Sequence, residues 1–254
     1  MTWAHYLLQV NIYLVIFYAF YKLLLDKETY FMLNRIYLLA AGILSLAIPF
    51  MKPEWFMGQS ANHHIKISVD QLNMLMANVT VADDQAEQFN WWQLITGIYL
   101  FGVLFFIARL IYRLFAVQRL IREVQAGTAF SFFRKKVIDS GLPGLDTISR
   151  HEEIHIRQYH TLDVLFFELL GIFLWCNPVI YFYKTTVKNI HEYLADEEAA
   201  RFQGDKESYA MLLLSKAFGI DQSVLTNSFF TRSLIKKRIF MLNKQRSRKT
   251  AILK

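Results

Sequence analysis

Three stretches of this chain are too apolar for a water-soluble fold of its size, and they set its class before any motif is read. Residues 3–25, WAHYLLQVNIYLVIFYAFYKLLL, hold one charge, Lys22, and are long enough to cross a hydrocarbon core, which takes about 20 helical residues. Residues 33–51 and 91–115 repeat the pattern, and the last opens on Trp91 and Trp92, side chains that suit a headgroup boundary. No basic segment precedes the first run and no small-residue cleavage site follows it, so it reads as a retained span. Composition agrees, since 54% hydrophobic and 16% aromatic residues exceed what a soluble domain usually carries. The expectation is a mostly α membrane protein. Three transmembrane helices would fall within residues 1–120, with an extracytoplasmic loop at 52–90 and a second region over 121–254.

The net charge of +7 is not spread evenly. Lys27 and Arg35 lie between the first two runs, and Arg109, Arg113, Arg119 and Arg122 leave the third, whereas the 52–90 loop sets Lys52 and Lys66 against Asp83, Asp84 and Glu87. By the positive-inside rule the amino terminus is outside and everything after the third span is cytoplasmic. The segment from Arg109 to Arg122 is expected to continue the third helix out of the membrane, and the basic stretch from Lys236 to Lys249 to lie near anionic lipid. Cations gathered beside apolar runs argue for membrane lipids as partners and against direct nucleic-acid binding. Cys176 is the single cysteine, so any metal site must be built from His and carboxylates.

Between the cytoplasmic-side features sits HEEIH, residues 151–155. On a helix His151 and His155 stand one turn apart, about 6 Å along the axis and on one face, so both can reach one Zn2+ ion. Glu152 is then placed to take the proton of a water attacking a peptide carbonyl. A catalytic zinc usually has three protein ligands. His160 does not supply the third in the metzincin manner, because Gln158 and Thr161 stand where that pattern needs Gly and His. Glu192 and Asp196 of HEYLAD do better: a carboxylate ligand, followed one turn on by a carboxylate that accepts the other ring N–H of a ligand His. Two blander readings compete. Ser149 and Glu152 are spaced as a capping box, and Glu197 and Glu198 would make Glu192 and Asp196 part of a solvated acidic face.

A fourth apolar run, residues 162–183, contains Asp163 and Glu168 and is broken by Asn177-Pro178. If Glu192 shares a metal with His151 and His155, both ends of this run lie on one side of the membrane. The run then has to enter and return, or pack against the spans, turning where Pro178 interrupts the helical ladder.

HEEIHIRQYHTLD, Asn177-Pro178, HEYLAD and NSFFTRSLIKKRIFML together resemble the membrane-embedded zinc metallopeptidases of the BlaR/MecR type, and YKLLLDKETYFMLNR is similar to a branch common in Bacteroidetes. The resemblance implies a gluzincin-like cytoplasmic protease domain hung on a bacterial inner membrane. It implies His151, His155 and Glu192 as ligands of one zinc, Glu152 as general base and Asp196 as the partner of a ligand His. It also suggests that a strand over 128–139, with Phe130, Ser131 and Phe132, pairs with an extended substrate. Tyr159, His160, His191 and Tyr193 are candidate oxyanion donors among which the residues do not choose. Ser233 to Lys236 spells S-x-x-K but lacks the S-D-N and K-T-G of penicillin-binding domains, so antibiotic sensing is not implied. The expected function is hydrolysis of a peptide bond in a cytoplasmic or membrane-adjacent regulatory protein, such as a transcriptional repressor, in signal transduction. A non-catalytic transducer with a structural zinc is the alternative, and either is compatible with a homo-oligomer.

Overall fold

The computed structural model describes residues 3–51, 91–123, 127–218 and 228–247. The expected 52–90 loop lies outside these residues. The first apolar run forms α1 (Trp3–Phe20), continued by a wider π turn over Tyr21–Leu25 in which Asp26 N–H reaches Tyr21 O. The second forms α2 (Phe31–Ala47), ended by a tight turn at Ile48–Phe50 where Pro49 removes a donor. The third is α3 (Trp91–Arg122), 32 residues long, so Arg109 to Arg122 do continue it as one helix. All three are long and apolar enough to cross a membrane.

The 128–139 stretch differs from the single strand its sequence suggests. It is a hairpin of β1 (Ala129–Phe132) and β2 (Lys135–Ile138), antiparallel, with Phe130 opposite Val137. The chain reverses because Phe133 adopts a left-handed φ of 52°. Its N–H donates to Thr161 Oγ1, which anchors the turn to the start of a later helix. Then follow α4 (Leu145–Arg157), α5 (His160–Phe173), α6 (Pro178–Gln203), α7 (Lys206–Phe218) and α8 (Ser228–Asn243).

The fourth apolar run doubles back. α5 ends at Phe173 and α6 begins at Pro178, with Asn177 capping it by accepting from Val179 N–H at 2.9 Å. The two arms return to one level: the rings of His160, at the start of α5, and His191, deep in α6, stack with centroids 3.9 Å apart. Asp163 and Glu168, the residues that make this run a poor single span, are each paired, Asp163 with Arg35 of α2 at 2.6 Å and Glu168 with Lys184 at 2.7 Å. Val10 and Leu14 of α1, Leu38 of α2, Phe167 of α5 and Ile180 and Tyr183 of α6 form the buried core, so the hairpin and the first two helices are one bundle. α3 joins this bundle through fewer contacts, Trp92 and Tyr99 on Trp3 and Phe106 on Trp175, with Gly102 as its one buried residue among those described. The Trp175 ring lies directly against Gly102, in the space a Cβ would take, so a larger residue there would push the helix off the hairpin.

Candidate metal centre

Position in the chain decides which side chains meet. Gly144, with φ of 69°, caps α4 in a left-handed conformation and starts the helix one turn before Ser149. The capping-box reading of Ser149 and Glu152 is therefore corrected. Ser149 Oγ instead accepts from Lys136 Nζ, and Glu152 Oε2 accepts from the Ser131 hydroxyl at 2.8 Å. The turn of α4 then carries buried His151 and Glu152 inward, and α6 brings Glu192 across to them.

His151 Nε2 and His155 Nε2 are 3.2 Å apart, and each lies 3.7 Å from one oxygen of Glu192. A tetrahedral ion with ligands at about 2.0–2.1 Å has ligand-to-ligand edges of roughly 3.3 Å, which the two histidine nitrogens match, while Glu192 presents a different oxygen to each. Among the described residues this is the group of His and carboxylates close enough to hold an ion. The outer face of each donor is also occupied. His151 Nδ1 is 3.1 Å from the Tyr209 hydroxyl and 3.4 Å from Asp196 Oδ1, and Tyr209 donates to Asp196 at 2.7 Å. Asp196, expected to partner a ligand His, lies beside His151 Nδ1 together with Tyr209. Arg238 donates through Nη1 to Glu192 Oε2 at 2.8 Å and through Nε to Asp196 Oδ2 at 2.8 Å. That leaves Glu192 Oε1 facing His155.

These contacts set the protonation of the metal-free site. Burial opposes a charge on His151, but hydrogen bonding to Asp196 and Glu192 outweighs it and lifts its pKa to about 9. Burial, helped by charge on neighbouring His151, pushes His155 down to about 4. Burial would raise Glu192, yet the His151 hydrogen bond and the Arg238 charge bring it down to about 2. The Arg238 hydrogen bonds hold Asp196 well below the usual carboxylate range against the pull of burial.

The donors open on a cavity of about 480 Å³ lined by Phe130, Ser131, Glu152, Tyr209, Leu213 and Arg238 among others. Phe132, grouped with Phe130 and Ser131 in the sequence, lines a second cavity of about 640 Å³ instead. Ser131, His155 and Glu192 border both. Of the four candidate oxyanion donors, Tyr159 is exposed, Tyr193 packs on Phe31, and His160 and His191 are buried against each other. Tyr209 and Arg238, which the sequence reading passed over, reach the site from α7 and α8.

Residues 144–242, from the cap of α4 to the end of α8, match the family described as BlaR1 peptidase M56. No curated protein and no solved structure matches the chain.

Proposed function

We propose that this chain, whose residues 144–242 match the BlaR1 peptidase M56 family, is a membrane-bound zinc endopeptidase. Its substrate is a cytoplasmic or membrane-adjacent regulatory protein. The observation that carries the reading is the convergence of His151, His155 and Glu192, one ligand atom of each within 4.8 Å of the others, beside Glu152. When bound, zinc supplies a Lewis acid that polarises the scissile carbonyl and makes water a nucleophile near neutral pH. Glu152 takes that water's proton and can return it to the leaving amine. The Ser131 hydroxyl bonded to Glu152 Oε2 fixes which carboxylate oxygen stays free for this work. β1 pairs with β2 along one edge, and an extended substrate would add along the other, through the backbone of Phe130 to Phe132. Charge distribution supports a centre at the cytoplasmic boundary, with the amino terminus outside and lipids around the apolar helices. Among regulatory proteins, a transcriptional repressor is the first substrate to try.

The test is purified wild type beside Glu152→Gln. One zinc per chain is expected in both, with cleavage of a membrane-proximal reporter slowed about 100- to 10,000-fold in the variant. Equal cleavage by both would remove Glu152 from the chemistry. Zinc retained and signalling unchanged in Glu152→Gln would favour a structural zinc in a non-catalytic transducer.

A further inference from the structure

We propose that Arg35 and His160 are positioning residues of the metal centre, through which the second apolar helix holds the ligand His155. The proposal rests on the metallopeptidase reading above and concerns parts that reading does not use. His155 turns Nε2 toward His151 and Glu192, so that nitrogen must keep its lone pair for a metal, and the ring proton sits on Nδ1. A ligand His usually donates this proton to a carboxylate or a carbonyl. Here the acceptor is another imidazole, His160 Nδ1, at 2.9 Å.

That choice fixes every later proton. To accept, His160 must be neutral with its own proton on Nε2, and Nε2 is 3.1 Å from Gln158 Oε1. Gln158 Oε1 also accepts from Arg35 Nη1 at 3.2 Å, while Arg35 Nη2 donates to the Gln158 carbonyl at 2.6 Å. The third arm of the guanidinium, Nε, donates to Asp163, which in turn is bonded to His191, the ring stacked on His160. One arginine therefore sets the acceptor beneath His160 and the wall beside it.

The backbone explains why a clamp is needed. Gln158 closes α4, and Tyr159 then takes a left-handed φ of 55°, an unfavourable conformation for a residue with a side chain. Arg35 holds this reversal by its last carbonyl, and both Arg35 and Asp163 have side chains only 9% exposed. Arg35 belongs to the second turn of α2, outside the 144–242 match. A displacement of the α2 end would pass through Gln158 and His160 to the ring of His155, which gives an apolar helix a mechanical hold on the ligand set.

The full chain in detergent, loaded with Co2+ as a spectroscopic probe and separately titrated with Zn2+, tests this. His160→Leu removes the acceptor, whereas His160→Asn puts an amide oxygen near the Nδ1 position. In His160→Leu the zinc dissociation constant should rise about 10- to 100-fold, and the visible Co2+ bands should shift. His160→Asn should recover most of both. Arg35→Lys keeps a cation beside Asp163 but cannot reach both Gln158 acceptors, so its bands should shift too. Combined with His160→Leu it should add nothing further. Wild-type affinity and bands in His160→Leu, no recovery in a folded His160→Asn, or full additivity in the double variant would each overturn the proposal. A wild type that binds neither ion would overturn the metallopeptidase reading itself.

Discussion

The two ends of the α5–α6 hairpin meet the same difficulty with different chemistry. At each, backbone groups lose their helical partners and polar side chains are buried. The metal end uses charge: Arg35 against Asp163, and Arg238 against Asp196 and Glu192. The turn at the tip uses neutral groups, the Glu168–Lys184 ion pair lying further down the two arms. Asn177 Nδ2 donates to Asn11 Oδ1 at 2.7 Å, and the hydroxyls of Tyr99 and Tyr181 donate to the carbonyls of Phe173 and Trp175. Opposite charges can be held where water and further partners are near, while in hydrocarbon a neutral hydrogen bond costs far less to bury than an ion. The contrast is the one expected of the proposed placement, with the base of the hairpin at an aqueous boundary and its tip within the lipid layer.

The largest break of that contrast is at Arg238. Arg238→Met strips the counter-charge from Asp196, which is 1% exposed, and from one oxygen of Glu192. Removing one partner of a buried pair costs about 3–5 kcal/mol. Denaturant unfolding in detergent should show a loss of that order, and a loss under about 1 kcal/mol would show that the metal end does not depend on paired charge.

Metal removal should come next. At a free zinc concentration of 100 times its dissociation constant, the ion stabilises by about 2.7 kcal/mol, so a chelator should lower the melting temperature at pH 7. The pH course of the chelated protein is a separate mark. His151 has a folded pKa raised from 6.5 to about 9, so its contribution is complete below 6.5 and is lost as pH rises through 9. The chelated protein should therefore lose stability between those values. Zinc binding at pH 7 should release about one proton per ion, which calorimetry in buffers of different ionisation enthalpy would count. Binding without proton release would mean that His151 is not charged in the metal-free site.

Much of this was legible in the sequence because it is local. Apolar runs fix the three long helices, and four-residue spacing puts His151 beside His155 and Glu192 beside Asp196. The return of residues 162–183 followed from joining those two pairs on one ion. What was hidden is long-range or one among equals. Lys236, Lys237 and Arg238 are adjacent cations, and only the phase of α8 turns the last inward, between the buried Ile235 and Leu242. That three-and-four spacing was the signal available. Arg35 reads as an ordinary inside-positive residue, and its partner Asp163 lies 128 positions away. Tyr209 carries no motif. The competing capping-box reading of Ser149 fails because its spacing is short-range evidence, and the left-handed Gly144 already caps the helix.

The smallest effect probes the tip, the part of the hairpin placed deepest in the lipid layer. Asn177→Ala removes a helix cap and the partner of Asn11 together. Loss of a cap costs about 1 kcal/mol. Asn11→Ala removes the second bond and the Asn11 Nδ2 donation to the Leu7 carbonyl within its own helix, and side-chain hydrogen bonds between helices in a bilayer average about 0.6 kcal/mol. The two single variants and the double variant form a cycle whose coupling term isolates the Asn11–Asn177 contact. A coupling near 0.6 kcal/mol in favour of the pair is expected for partners sealed from water. If water reaches the tip, each amide finds a solvent partner when the other is cut away, and the coupling falls to zero. That result would leave the charged end of the hairpin intact but would remove the tip from the hydrocarbon layer.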